Sequence, residues 1–157
     1  MTSNAAISSL ENFFARAPGW IDRGQATTVL TSVAVVEEIL QAALLNRMRP
    51  LTKKEADRLF EGYGPISTLA AKIDVAYAFN LLSKAEYSAL LIAKNIRNKF
   101  AHSQTAMGFE KDEIVLMVSR MNCKDRKADT PYRQSFAVLF SIGRRLVRTI
   151  EKQQAQQ

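Results

Sequence analysis

Gln25–Arg47, QATTVLTSVAVVEEILQAALLNR, decides the fold class. Val29, Val33, Val36, Leu40, Ala43 and Leu44 recur at intervals of three and four, so on a helix they share one stripe. Thr31, Glu38 and Gln41 lie away from it. A strand would scatter the same residues over both faces. The spacing therefore predicts a helix from about Gln25 to Arg47, stopped by Pro50. Glu37 projects at the edge of the stripe, between Leu30 and Leu44, where a buried carboxylate needs a cation or hydrogen-bond donors.

Outward from this helix, the chain continues in the same idiom. A weaker amphipathic stretch around Ile7–Ala15 precedes it and ends before Pro18-Gly19. Thr52-Lys53-Lys54-Glu55 is a capping box opening a short helix to Phe60. Gly62-Tyr63-Gly64-Pro65 punctuates, and a helix then runs from Ile66 or Ser67 through Phe79, with Leu69, Ala70, Ile73, Ala76 and Tyr77 facing inward. Ser83-Lys84-Ala85-Glu86 is a second capping box, starting a helix to about Ala101. Its wheel gathers Ala85, Ala89, Ile92, Ala93, Ile96 and Phe100 on the core side. Asp112–Met121 holds an apolar run that periodicity alone does not assign; with no other strand to pair with, it reads as helix. Thr130-Pro131 supplies an N-cap and a first-turn proline for a last helix to about Lys152, followed by a frayed tail. The prediction is a single all-α domain over residues 1–157, a bundle of five to seven helices.

Composition agrees with that class and narrows the chemistry. The 157 residues are 47% hydrophobic and 24% charged, with six glycines and four prolines, too few for a turn-dense β-sandwich. The lone Cys123 excludes an internal disulfide and a cysteine-based zinc site, and fits a reducing cytoplasm. No run of 18 apolar residues suggests a membrane span, and no signal peptide is visible. Neither a phosphate-binding loop, a metal cluster nor a serine or cysteine triad is present, so no cofactor or metal is expected.

The formal charge is +7. Between Ser119 and Lys152, nine basic residues stand against three acidic ones. Arg144, Arg148 and Lys152 are spaced one turn apart on the last helix. They read either as a solvated face or as a surface for a phosphate-bearing partner, RNA or DNA.

Arg97-Asn98-Lys99-Phe100-Ala101-His102 carries the candidate chemistry. It places the only histidine five residues after an arginine, near a helix end. Asn95, Asn98 and His102 form a polar stripe, with Lys94 beside it and Arg97 at its flank. Arg97 and His102 stand about 140° apart on a regular helix. They converge if the arginine wraps round, if the helix unwinds near Ala101, or if a second subunit supplies its own copy. Two imidazoles across a two-fold axis could activate a 2′-hydroxyl of RNA and protonate the leaving oxygen, with arginines stabilising the developing charge. The alternative is structural: a histidine at a helix C-terminus caps carbonyls and favours the negative dipole end.

Two family resemblances meet at these residues. Ile96–His102 is similar to the Arg-Asn-x-x-x-His signature of the HEPN superfamily, helical bundles that include metal-independent ribonucleases and dimerise with the motif at the interface. More of the chain resembles the mannitol operon repressor family: Gly64–Ala78, then Leu81-Leu82-Ser83, then Ile96–His102, in that order, over roughly Leu30–Asn122. That resemblance implies an all-α bundle engaged in transcriptional regulation without a helix-turn-helix, by way of a protein partner or a non-standard basic surface. It makes Arg97, Asn98 and His102 the polar centre and brings in Lys72, Asp74 and Tyr77 from the neighbouring matching helix. Read as ordinary residues, Tyr77 is core with a satisfied hydroxyl, Asp74 a surface or helix-tying carboxylate, and Arg97 a partner for Glu37 or Asp74. The basic C-terminal part departs from the family pattern. The expected protein is a cytoplasmic homodimer and a regulator of this type; the alternative is a HEPN-type ribonuclease using Arg97 and His102 in trans.

Overall fold

The helix that opens the described residues is deeply packed. In a computed structural model, which describes residues 24–102, 109, 111–121 and 128–155, α1 spans Gln25–Arg47, and Val33, Val36, Ile39, Leu40, Ala43 and Leu44 are almost wholly buried. It is the one described helix long and apolar enough to cross a bilayer, but that apolar character is spent on the protein core. Among the described residues five further helices follow: α2 (Lys53–Phe60), α3 (Leu69–Ala78), α4 (Lys84–His102), α5 (Asp112–Ser119) and α6 (Pro131–Gln154). No strand occurs among the described residues, so the fold is all-α. The expected helix at Ile7–Ala15 and residues 122–127, Cys123 among them, lie outside the described residues.

Helix starts follow the sequence closely. Thr52 and Glu55 form the reciprocal capping box, the Thr52 amide donating to Glu55 Oε2 at 2.8 Å. The Thr52 hydrogen bonds hold the Glu55 carboxyl below its ordinary titration range. Ser83 and Glu86 make the same pair of bonds at the start of α4. Thr130 accepts from the Arg133 amide, and Pro131 occupies the first turn of α6. The third helix begins later than its sequence suggests. Thr68 caps it, leaving Ile66 and Ser67 in the preceding turn, where the Ile66 amide donates back to Leu59 O at 2.9 Å.

Among the described helices, α1 and α6 pack on each other most extensively. Thr28 and Ser32 face Tyr132 and Ser135 at one end, and the side-chain amides of Asn46 and Gln153 meet at 2.6 Å at the other. Those pairings fix the two helices as parallel over about five turns. Helices α3 and α4 pack on α1 and on each other, and α5 bridges α4 and α6. Phe109 links the α4 and α6 ends through ring contacts to Phe100 and Tyr132.

Two expected core positions face outward. Ala85, in the first turn of α4, is exposed, and Tyr77 is 40% exposed. Tyr77 is one residue past buried Ala76, about 100° round a helix that ends at Ala78, so its ring points off the core and stacks on Tyr87 at 4.5 Å. The core reading of Tyr77 is therefore corrected to a surface stack.

Candidate functional site

Three helices converge on one carboxylate. Glu37, at the edge of the α1 stripe, accepts from Lys72 Nζ of α3 at 2.9 Å and has Arg97 Nη1 of α4 at 3.9 Å. Lys72 is 5% exposed, although lysine is rarely interior without a partner. Its ammonium also reaches the Ser67 carbonyl at 3.5 Å. The carboxylate that the sequence leaves in need of a cation has two. Of the partners open to Arg97, Glu37 and not Asp74 is the one it faces.

The Arg97 side chain remains 38% exposed, so its guanidinium keeps donors toward solvent while Glu37 steers one edge. Asn98 and His102 are exposed one turn apart on the same helix, and neither has a hydrogen-bond or ion-pair partner among the described residues. Helix α4 stays regular through His102. Unwinding near Ala101 therefore does not bring the imidazole to Arg97, and no bond joins the two. Beside them, Lys99 pairs with Glu113 of α5 at 3.0 Å.

Asp74 and Tyr77 belong to a separate cluster. The Tyr87 hydroxyl donates to Asp74 Oδ1 at 2.8 Å, tying α4 to α3 under the Tyr77 ring. That hydrogen bond, with partial burial and the nearby negative charge, pushes the Tyr87 phenol above the usual tyrosine range. The structure thus brings Lys72 and Arg97 together through Glu37, and Asp74 and Tyr77 together through Tyr87.

Arg144 and Arg148 occupy neither cluster. Both are exposed on α6, while Arg145 between them reaches across to the start of α4, its Nη2 donating to Glu86 Oε2 at 2.9 Å and to Leu81 O at 2.7 Å. Sequence reading missed that clamp. Glu86 was legible as a capping residue; that both its oxygens also engage Arg145 of α6 depends on tertiary packing. The burial of Lys72 did leave a signal, since Leu69, Lys72, Ile73 and Ala76 share the inward spacing of α3.

The family model described as mannitol repressor matches residues 25–141, from the first residue of α1 into the middle of α6. The chain belongs to the mannitol repressor family. Both side-chain clusters, and the three helices that meet on Glu37, lie within the matched stretch. No curated protein and no solved structure matches the chain. In this member of the mannitol repressor family, Arg144, Arg145 and Arg148 fall beyond the matched residues.

Proposed function

We propose that the protein is a cytoplasmic regulator of the mannitol repressor type, acting as a homodimer through protein or nucleic-acid contacts and not through a helix-turn-helix. Family membership over residues 25–141 carries this reading. The helix geometry supports the second half of it. The short connection between α3 and α4 invites comparison with a helix-turn-helix, but the first turn of α4 carries a single basic residue, Lys84, and its neighbours are engaged within the bundle. Glu86 is clamped by Arg145 and Tyr87 is bonded to Asp74.

Deleting the gene in its host and measuring transcription of mannitol-utilisation genes tests the proposal. Derepression, reversed by the wild-type gene, is expected; unchanged transcripts overturn it. A second reading, a metal-independent ribonuclease, is favoured by one observation: Asn98 and His102 stand exposed without described partners, close to the half-exposed Arg97. Incubation with total RNA in EDTA decides it. Cleavage by wild type and not by His102→Ala supports that reading, and equal behaviour of the two proteins removes it.

A further inference from the structure

Helix α6 runs for about three and a half turns past residue 141, where the family match ends. On a wheel, Ser141, Arg144, Arg145, Arg148 and Lys152 fall within about 100° of arc, opposite the buried Leu139, Ile142, Leu146 and Ile150. Phe140, Ser141 and the three arginines bound an open groove of about 260 Å³. Arg145 is committed to Glu86 and Leu81. Arg144, Arg148 and Lys152 are exposed, and none makes an ion pair or hydrogen bond among the described residues. The exposed Glu151, one turn from Arg148, does not pair with it either.

Every residue lining this groove comes from one helix, so no second wall encloses a small molecule and selects its shape. What the face presents is regular charge. Arg144, Arg148 and Lys152 repeat every four residues, about 6 Å of axial rise, close to the separation of successive phosphates along a nucleic-acid strand. Guanidinium forks suit phosphate oxygens, and the Ser141 hydroxyl adds a donor at the upstream end.

We propose that the outer face of α6 binds the phosphodiester backbone of a nucleic acid, with Arg144, Arg148 and Lys152 each taking a phosphate and no base being read. This goes beyond the family match, and it deepens the nucleic-acid side of the regulator reading by naming the face that makes the contact. Backbone binding by the purified protein is independent of whether mannitol genes respond to deletion.

Titration of the full chain against fluorescent duplex DNA of arbitrary sequence, about 20 base pairs long, over a range of salt concentrations tests it. With three phosphates neutralised, log K should fall against log salt with a slope of about −3. Arg144→Gln with Arg148→Gln should flatten the slope by about 2, while the lysine double variant should restore it. Lys54→Gln, on the exposed surface of α2, should leave it unchanged. A thermal melt of each variant confirms folding. Absence of binding at low salt overturns the proposal, as does a slope unaffected by the double substitution. Equally tight binding of poly-glutamate also overturns it, because the face would then serve an acidic protein.

Discussion

Glu37 shows how one residue can organise three helices. Among the described residues its carboxylate is the only acid within ion-pair distance of buried Lys72, so removing it strands an ammonium with little more than the Ser67 carbonyl. Glu37→Ala should lower stability by about 3 kcal/mol, the lower end for breaking a buried pair because Glu37 itself keeps some solvent. Lys72→Met leaves that carboxylate near Arg97 and should cost about 1 kcal/mol. Urea denaturation of both variants checks the order, and an equal loss would deny Glu37 its central position. The need for a partner was readable from Glu37's place on the stripe. The identity of that partner was not, because it depends on how α3 and α4 cross α1.

Tyr87 gives a second test at the same scale. Its neutral phenol is favoured in the folded protein, so the stability it adds is whole below the unfolded tyrosine value of about 10 and is lost as pH climbs through the higher folded value. Comparing the tyrosinate absorbance titration of wild type with that of Tyr87→Phe should isolate a group titrating late. Asp74→Ala, which removes the hydrogen-bond acceptor, should return it toward the ordinary value.

At the scale of elements, legibility tracked how local the determining interaction is. The capping boxes at Thr52 and Ser83 and the Thr130-Pro131 start involve residues three apart or less, and all three appear as read. Tyr77 and Ala85 were misplaced because a helix wheel extends apolar stripes into end turns that the neighbouring helices do not cover. The turn between α2 and α3 separates two uses of glycine. Gly62 adopts φ 56°, the left-handed region, whereas Gly64 is needed for close approach: a Cβ there would meet the Leu59 and Arg58 carbonyl oxygens at 2.5 and 2.6 Å. Backbone atoms cannot swing aside as a side chain can. Gly64→Ala should therefore lower the melting temperature by several degrees, corresponding to about 2 kcal/mol. Gly62→Asn, a residue tolerated at positive φ, should change it far less. Similar losses at both sites would contradict this division.

The whole molecule depends on two parallel helices that are distant in sequence. A parallel pair cannot be joined by a tight turn, so α2 to α5 carry the chain back before α6 lies down beside α1. That arrangement makes the last helix part of the core and not an appendage, although the family match stops at residue 141. Ile142, Leu146 and Ile150, all beyond that point, are at most 1% exposed. Each such side chain is worth about 2–5 kcal/mol when deleted, and three together rival the entire stability of an ordinary domain, about 5–15 kcal/mol. A chain ending at Ser141 also loses the Arg145 clamp on Glu86 and the Gln153 contact with Asn46, leaving the apolar side of α1 open to water. It should show no cooperative melt by circular dichroism and should aggregate on concentration. A chain ending at Gln154 should melt like the full protein, since Ile150, the last buried side chain among the described residues, lies upstream of it. A cooperative transition in the shorter chain would mean that the matched residues fold alone and that the C-terminal half of α6, its basic face included, is an addition to a finished core.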